Sequence, residues 1–323
     1  MTVAIPRPPF DAELEPALDA VAQMLPTLTP EMIPALRAST AEMLSQGLDE
    51  QIAAAGVTVR DVTIPGYEGA EITATIIARA DHAGHRPGIV HLHGGGMVMG
   101  DQMTGVDTFL SAVVRHDAVL VSIDYRLAPE FPDPYPVEDC YAGLVWTAEH
   151  ADELGIDAER LLVGGTSAGG GLTAGTALLA RDRRGPALAG QILLCPMLDD
   201  RDATVSTTQI DGVGVWNREA NVTGWSALLG DRKGGDDVSI YAAPARATDL
   251  SGLPTTYIDC GSAEVFRDED VAYATALWAA GVQAELHVWA GGFHGFDTMA
   301  PQAAVSQAAI AARESWIDRV LGA

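Results

Sequence analysis

Arg160-Leu161-Leu162-Val163-Gly164-Gly165-Thr166-Ser167-Ala168-Gly169 is the stretch that decides the fold of this chain. Its first half is a short apolar run of strand character. Beyond it, Gly171 to Arg181 reads as a helix. Between the two lies Gly165-x-Ser167-x-Gly169. Glycines on both sides let the chain turn sharply, which holds the serine at the tip with its hydroxyl exposed. Strand, turn and helix in that order make a βα unit. The plainer reading is a serine that caps a helix; the rest of the chain decides between them.

Upstream, Gly88-Ile89-Val90-His91-Leu92 is a second strand-like run, and His93-Gly94-Gly95-Gly96 follows it directly. A glycine loop after a strand offers backbone N–H groups to an oxygen that gains negative charge during a reaction. The two motifs together, each after a strand, point to ester hydrolysis by a serine.

From these motifs the alternation extends outward. Val57 to Ile64 and Glu71 to Ala78 read as a hairpin. Further strands are expected at 88–93, Ala118 to Asp124, 160–165, Gln191 to Pro196, Thr255 to Cys260 and Ala284 to Trp289. Helices are expected at 104–116, 137–151, 168–182, 268–280 and 302–321. This is the pattern of an α/β fold, a mostly parallel central sheet with helices on both faces. Two regions break the rhythm. Residues 1–50 are helical and cut by Pro6, Pro8, Pro9, Pro16, Pro26, Pro30 and Pro34, with Leu14, Leu18, Val21 and Leu25 on one helix face. Some 60 residues separate the strand at Cys195 from the strand near Thr255, with Trp216, Trp225, Leu228 and Leu229 at helical spacing. A structureless loop of that length is improbable. We therefore expect 51–199 and 245–323 to form the catalytic domain, with 1–50 and 200–244 as a helical cap.

Composition narrows the function. A chain of 323 residues accommodates one large domain with an insertion, or two domains. The net charge of −25, with Lys233 as the only lysine, disfavours nucleic acid and anionic lipid as partners. An acidic solvated surface accounts for that charge, and adaptation to high salt is the sharper alternative. Cys140, Cys195 and Cys260 lie far apart, without a Cys-x-x-Cys, so a zinc site or redox pair is not expected and a reducing, cytoplasmic location fits. No apolar leader is evident at the N-terminus, and no apolar run approaches the roughly 18 residues of a membrane span.

Acyl transfer needs a nucleophile, a base, an acid that orients the base, and donors for the oxyanion. Ser167 is the nucleophile. His294, in Gly291-Gly292-Phe293-His294-Gly295, follows the last strand on a glycine-rich loop and is the candidate base. Asp259, Glu264, Asp268, Glu269 and Asp270 all fall between them in chain order, and position favours Glu264, on the loop after Gly261-Ser262. The oxyanion donors are the N–H groups of Gly95, Gly96 and Ala168, with Gly94 making the turn. His91 and His93 could suggest a metal, but no third ligand stands at matching spacing, so structural roles are expected. Gly169-x-Gly171-x-x-Ala174 loosely matches a dinucleotide motif, yet it starts inside the helix and cannot shape a phosphate loop.

These motifs, with Asp124-Tyr125-Arg126-Leu127-Ala128-Pro129-Glu130, Pro136-Val137-Glu138-Asp139-Cys140, Arg267-Asp268-Glu269 and His294-Gly295-Phe296, resemble the hormone-sensitive-lipase-like branch of the α/β-hydrolases, bacterial carboxylesterases and acetyl esterases. The resemblance runs from about Gly88 to Phe296. Two departures stand out. Thr166 replaces the commonest aspartate before the nucleophile, and Glu264 stands where the family usually has its catalytic aspartate, three residues before Arg267. The resemblance implies the α/β-hydrolase fold with a helical cap and Glu264 as the orienting acid. It implies no metal or organic cofactor, a small-molecule ester as substrate, and a preference for short acyl chains. Homodimers are common in the group. Met97, Val98, Met99 and Trp216 either line the acyl pocket or pack in the core. A lactonase, amide deacylase or acyltransferase would carry the same triad; a non-catalytic receptor of this fold would lack the histidine.

Overall fold

A computed structural model describes residues 5–24, 28–38 and 47–322. Leu25 and Pro26, expected on a helix face and at a break, lie outside the described residues, as does 39–46 of the N-terminal segment. Among the described residues one sheet is formed by β1 (Val57–Pro65), β2 (Glu71–Arg79), β3 (Arg86–Leu92), β4 (Val119–Asp124), β5 (Ile156–Thr166), β6 (Gly190–Leu194), β7 (Thr256–Gly261) and β8 (Ala284–Trp289). Their order is β1-β2-β4-β3-β5-β6-β7-β8. β1 and β2 are the expected antiparallel hairpin, and β2 joins β4 antiparallel. From β4 to β8 every pairing is parallel.

The central parallel strands β3, β4 and β6 are buried along almost their whole length because both faces of the sheet are covered. Side chains of successive residues go to opposite faces. Ile89, Leu120 and Leu162 stand in register and join Phe109, Val113, Trp316 and Ile317 of the helices Asp107–His116 and Ala304–Leu321. One residue on, Val90, Val121 and Val163 face the other way, against Val137, Leu144 and Leu172 of the helices Tyr135–Glu149 and Ala168–Asp182. Truncating Leu162 to alanine leaves a void in such a layer, at a cost of about 2–5 kcal/mol.

Motif residues away from the serine turn out to be braces. Asp139 is fully buried and grips Arg126 with both oxygens, at 2.7 and 2.8 Å, while it accepts from the Tyr67 N–H at 2.8 Å. Arg37 donates to the carbonyls of Val98, at 2.6 Å, and Ala128, at 2.7 Å, and ion-pairs with Glu130. It thereby ties the segment 28–38 to the loop beyond the glycines. Leu28, Ile33 and Leu36 pack in one cluster with Trp225, Leu228 and Leu229 of the helix Arg218–Leu229. Thr223 Oγ1 donates to the Leu28 carbonyl at 3.1 Å.

Because β3 to β8 run parallel, their carboxyl ends share one edge. Ser167 after β5, His93 after β3, Glu264 after β7 and His294 after β8 all leave the sheet there, where ligands of open α/β sheets bind.

Candidate active site

Ser167 holds φ +61° and ψ −121°, a backbone conformation few side chains adopt. The main chain enforces it. Its N–H donates to the Leu194 carbonyl at 2.8 Å, and its own carbonyl accepts from Met197 and Gly171, each at 3.0 Å. The flanking glycines serve a different end from the one expected, since neither has a positive φ. A Cβ on Gly165 would stand 2.4 Å from the Leu92 carbonyl oxygen, and one on Gly169 1.9 Å from it. They let strand and helix approach, while the serine itself takes the strained turn. Ser167 occupies the N-cap position without capping the helix.

Its hydroxyl turns instead to His294, with Oγ 2.9 Å from Nε2. Behind the imidazole, Glu264 Oε2 lies 3.4 Å from Nδ1. All three side chains are buried. Two contacts join the loops that carry Glu264 and His294. Ala263 N–H donates to the Gly292 carbonyl at 3.0 Å, and a Cβ on Gly261 would stand 2.1 Å from that same oxygen. Phe266 meets the His294 ring edge-on at 5.3 Å.

The other acids of the run have different partners. Asp268 accepts from the Ser206 N–H and from Arg267 Nε, both at 2.8 Å, and so anchors the short helix Val205–Gln209. Glu269 accepts from the N–H groups of Leu198, at 2.8 Å, and Asp199, at 3.1 Å. Asp259 accepts from the Tyr257 hydroxyl at 3.2 Å and the Trp289 indole at 3.4 Å. Burial, then the charge of Asp297, pushes its carboxyl up to about 7.

In the glycine loop, Gly95 (φ +111°) and Gly96 (φ +64°) carry left-handed conformations. A Cβ on Gly95 would lie 2.2 Å from the Met99 carbonyl oxygen, and one on Gly96 2.2 Å from the Trp216 ring. Gly94, expected to make the turn, has no positive φ; a Cβ there would sit 3.0 Å from the Thr166 carbonyl oxygen, so it packs against the elbow. Met97, Val98 and Met99 are buried. His93 stacks on Tyr125 at 4.0 Å and contacts the Gly94 carbonyl through Nδ1 at 2.8 Å, while the Tyr125 hydroxyl donates to the His93 carbonyl. His91 Nδ1 meets Ser122 Oγ at 2.8 Å. Burial drives the imidazoles of His91 and His93 down to about 3 and about 4, so both are neutral at physiological pH.

Among the described residues, Cys195, Glu264 and His294 bring ligand-capable atoms within 4.8 Å of one another, as do Cys260, Glu264 and Asp270. Both groups share Glu264, so an ion there would occupy the carboxylate that faces His294. All three cysteines are free and buried. Sequence reasoning missed Cys195 beside the imidazole and Asp270 beside Glu264. It also missed that Trp216 lies before its helix, folded over Gly96; periodicity misled here, because Asn217 caps the helix by accepting from the Ala220 N–H. No described helix is long and apolar enough to cross a membrane.

Residues 89–298 match the family model described as alpha/beta hydrolase fold. Esterase LipI of Mycobacterium tuberculosis is 36% identical over 207 residues, covering 62% of each chain. Carboxylic ester hydrolase LipN of the same organism is 39% identical over 74% of this chain and 64% of its own. The chain thus spans under two thirds of the length of these curated relatives. Among solved structures, a bacterial heroin esterase superposes with a TM-score of 0.89 at 39% identity, over 97% of this chain and 98% of the other. A hyperthermophilic esterase from Pyrobaculum calidifontis gives 0.84 at 30% identity, over 98% and 100%.

Proposed function

Because the chain belongs to the alpha/beta hydrolase fold family, we propose that it is a serine carboxylesterase that hydrolyses short-chain esters through an acyl-enzyme. The observation that carries this reading is the 2.9 Å contact of Ser167 Oγ with His294 Nε2, with Glu264 behind the ring at 3.4 Å. Ser167 Oγ attacks the ester carbonyl as its proton passes to Nε2. The imidazolium then presents Nδ1–H to Glu264, which stabilises the charge and fixes the ring. The carbonyl oxygen, now negative, accepts from the N–H groups of Gly95, Gly96 and Ala168. His294 returns the proton to the departing alcohol. A water, deprotonated by His294, then releases the acid and restores Ser167.

Residues 1–50 and 200–244 serve as the cap in this reading, supported by the packing of Leu28, Ile33 and Leu36 on the helix Arg218–Leu229. Trp216 against Gly96 narrows the space beside the glycine loop, which favours short acyl groups. Three free, buried cysteines are in keeping with a cytoplasmic setting. The test is a panel of p-nitrophenyl esters from acetate to palmitate, with S167A as the control. We expect kcat/KM to be highest between two and about six acyl carbons. A higher value for palmitate than for butyrate, or equal turnover by S167A, would refute the assignment.

A further inference from the structure

Asp270 has no part in the steps above, yet it shares a buried cluster with the acid that does. One carboxylate oxygen of Asp270, one of Glu264 and the Cys260 sulfur lie within 4.8 Å of one another. Asp270 is fully buried and Glu264 is 1% exposed. All four of their carboxylate oxygens are buried without an N–H or O–H hydrogen-bond partner among the described residues, and the Cys260 thiol offers Asp270 a weak donor that only partly offsets its burial. Two carboxylates this close and this deeply buried repel each other as anions, which favours a single proton shared between them.

The surroundings decide which group holds it. Glu264 faces His294 Nδ1 at 3.4 Å and must be ionised to steady the imidazolium. Asp270 faces Glu264 on its loop, Glu269 on its own helix, and Asp259 and Cys260 of β7. Its place in the first turn of the helix Arg267–Ala279 favours a negative charge, but that effect is small against full burial among acids. Burial first, then the charges of Glu264, Glu269 and Asp259, push the carboxyl well above the usual range.

We propose that Asp270 is a positioning residue, kept protonated, whose O–H donates to Glu264 and holds that carboxylate ionised and turned toward His294. The inference rests on Glu264 being the orienting acid, as read above. Asp270 exchanges no proton during turnover. It gives the Glu264 carboxylate a second donor beside the Nδ1–H of His294.

The test compares the wild-type chain with D270N and D270L. Asparagine keeps a donor of similar shape; leucine keeps volume and removes the donor. In the infrared at pH 8, the wild-type minus D270N difference spectrum should show the carbonyl band of a protonated carboxyl group. D270N should keep kcat within about threefold, while D270L loses roughly 10- to 100-fold in kcat with KM little changed. Absence of the band overturns the proposal, and so does a well-folded D270L that matches D270N. If D270L fails to fold, the infrared band and the kcat of D270N decide alone, and a D270N loss as large as about 100-fold counts against the donor role. Failure of the Glu264 reading would show separately, as kcat retained in E264Q, and leaves the infrared result standing.

Discussion

Ser167 and Glu264 both leave the sheet at the carboxyl ends of parallel strands, yet they are held in unlike ways. Around Ser167 the main chain fixes everything: a positive φ, three backbone hydrogen bonds at 2.8–3.0 Å, and glycines whose missing Cβ atoms let carbonyls close in. Glu264 is held by packing and by its neighbours' side chains, without a backbone donor to either carboxylate oxygen among the described residues. A site half built from main chain tolerates no change of residue at its pivots. A half built from side chains can use either carboxylic acid, and the family resemblance implies that glutamate does here what aspartate does elsewhere.

The largest effect should come from the rigid half. S167A removes the nucleophile and should lower kcat by about 10⁴- to 10⁶-fold with the fold intact by circular dichroism. The acid half should respond in a graded way. E264Q leaves the imidazole without an anionic partner and should cost at least about 100-fold in kcat, while D268N should cost much less, because the Asp268 carboxylate is engaged with Ser206 and Arg267 and anchors the helix Val205–Gln209. The reverse ranking in folded proteins would move the acid to Asp268. G169A separates stability from chemistry. Its added methyl group would press on the Leu92 carbonyl at 1.9 Å, so the melting temperature should fall, with a cost at or above about 1–3 kcal/mol. An unchanged Tm would mean that the elbow is softer than its contacts indicate.

The smallest effect concerns pH, and the two halves should lose stability in opposite directions. His91 and His93, near the glycine loop, are held neutral with pKa values of about 3 and about 4 against an ordinary 6.5. The unfolded chain binds those protons first, so their contribution is lost as pH falls below 6.5. Asp259, on the acid side, is raised to about 7 from 3.8, so the folded state holds its proton longer. Its contribution is present at low pH and lost as pH rises through about 7. D259N should therefore gain Tm relative to wild type by more at pH 8 than at pH 5. Equal differences at both pH values would remove Asp259 as the source.

Much of the main-chain half was legible in the sequence, because glycine spacing and strand-like runs are local signals. β3 and β5, the elbow and the glycine loop all fall within a few residues of their expected places. The exceptions are conformational. Spacing marks glycine as the residue that turns, whereas at Gly165 and Gly169 it is the residue that lets carbonyls close in. The acid half was less legible because Glu264, Asp268, Glu269 and Asp270 lie within seven positions, and only three-dimensional neighbours tell them apart. In the sequence Asp270 is one more charge in a first helical turn, since nothing in a single sequence marks a carboxyl as buried. Trp216 followed the same course, its helical spacing hiding a ring that folds over Gly96 from outside the helix.

The central claim is that Ser167, activated by His294, is the group that takes the acyl chain. Reaction with a fluorophosphonate, followed by peptide mapping, tests it most directly. The adduct should fall on the peptide containing Ser167 in the wild type, form at least about 100-fold more slowly in H294A, and be absent in S167A. A wild-type enzyme that hydrolyses esters without labelling at Ser167, or that labels as fast in H294A, would contradict the account.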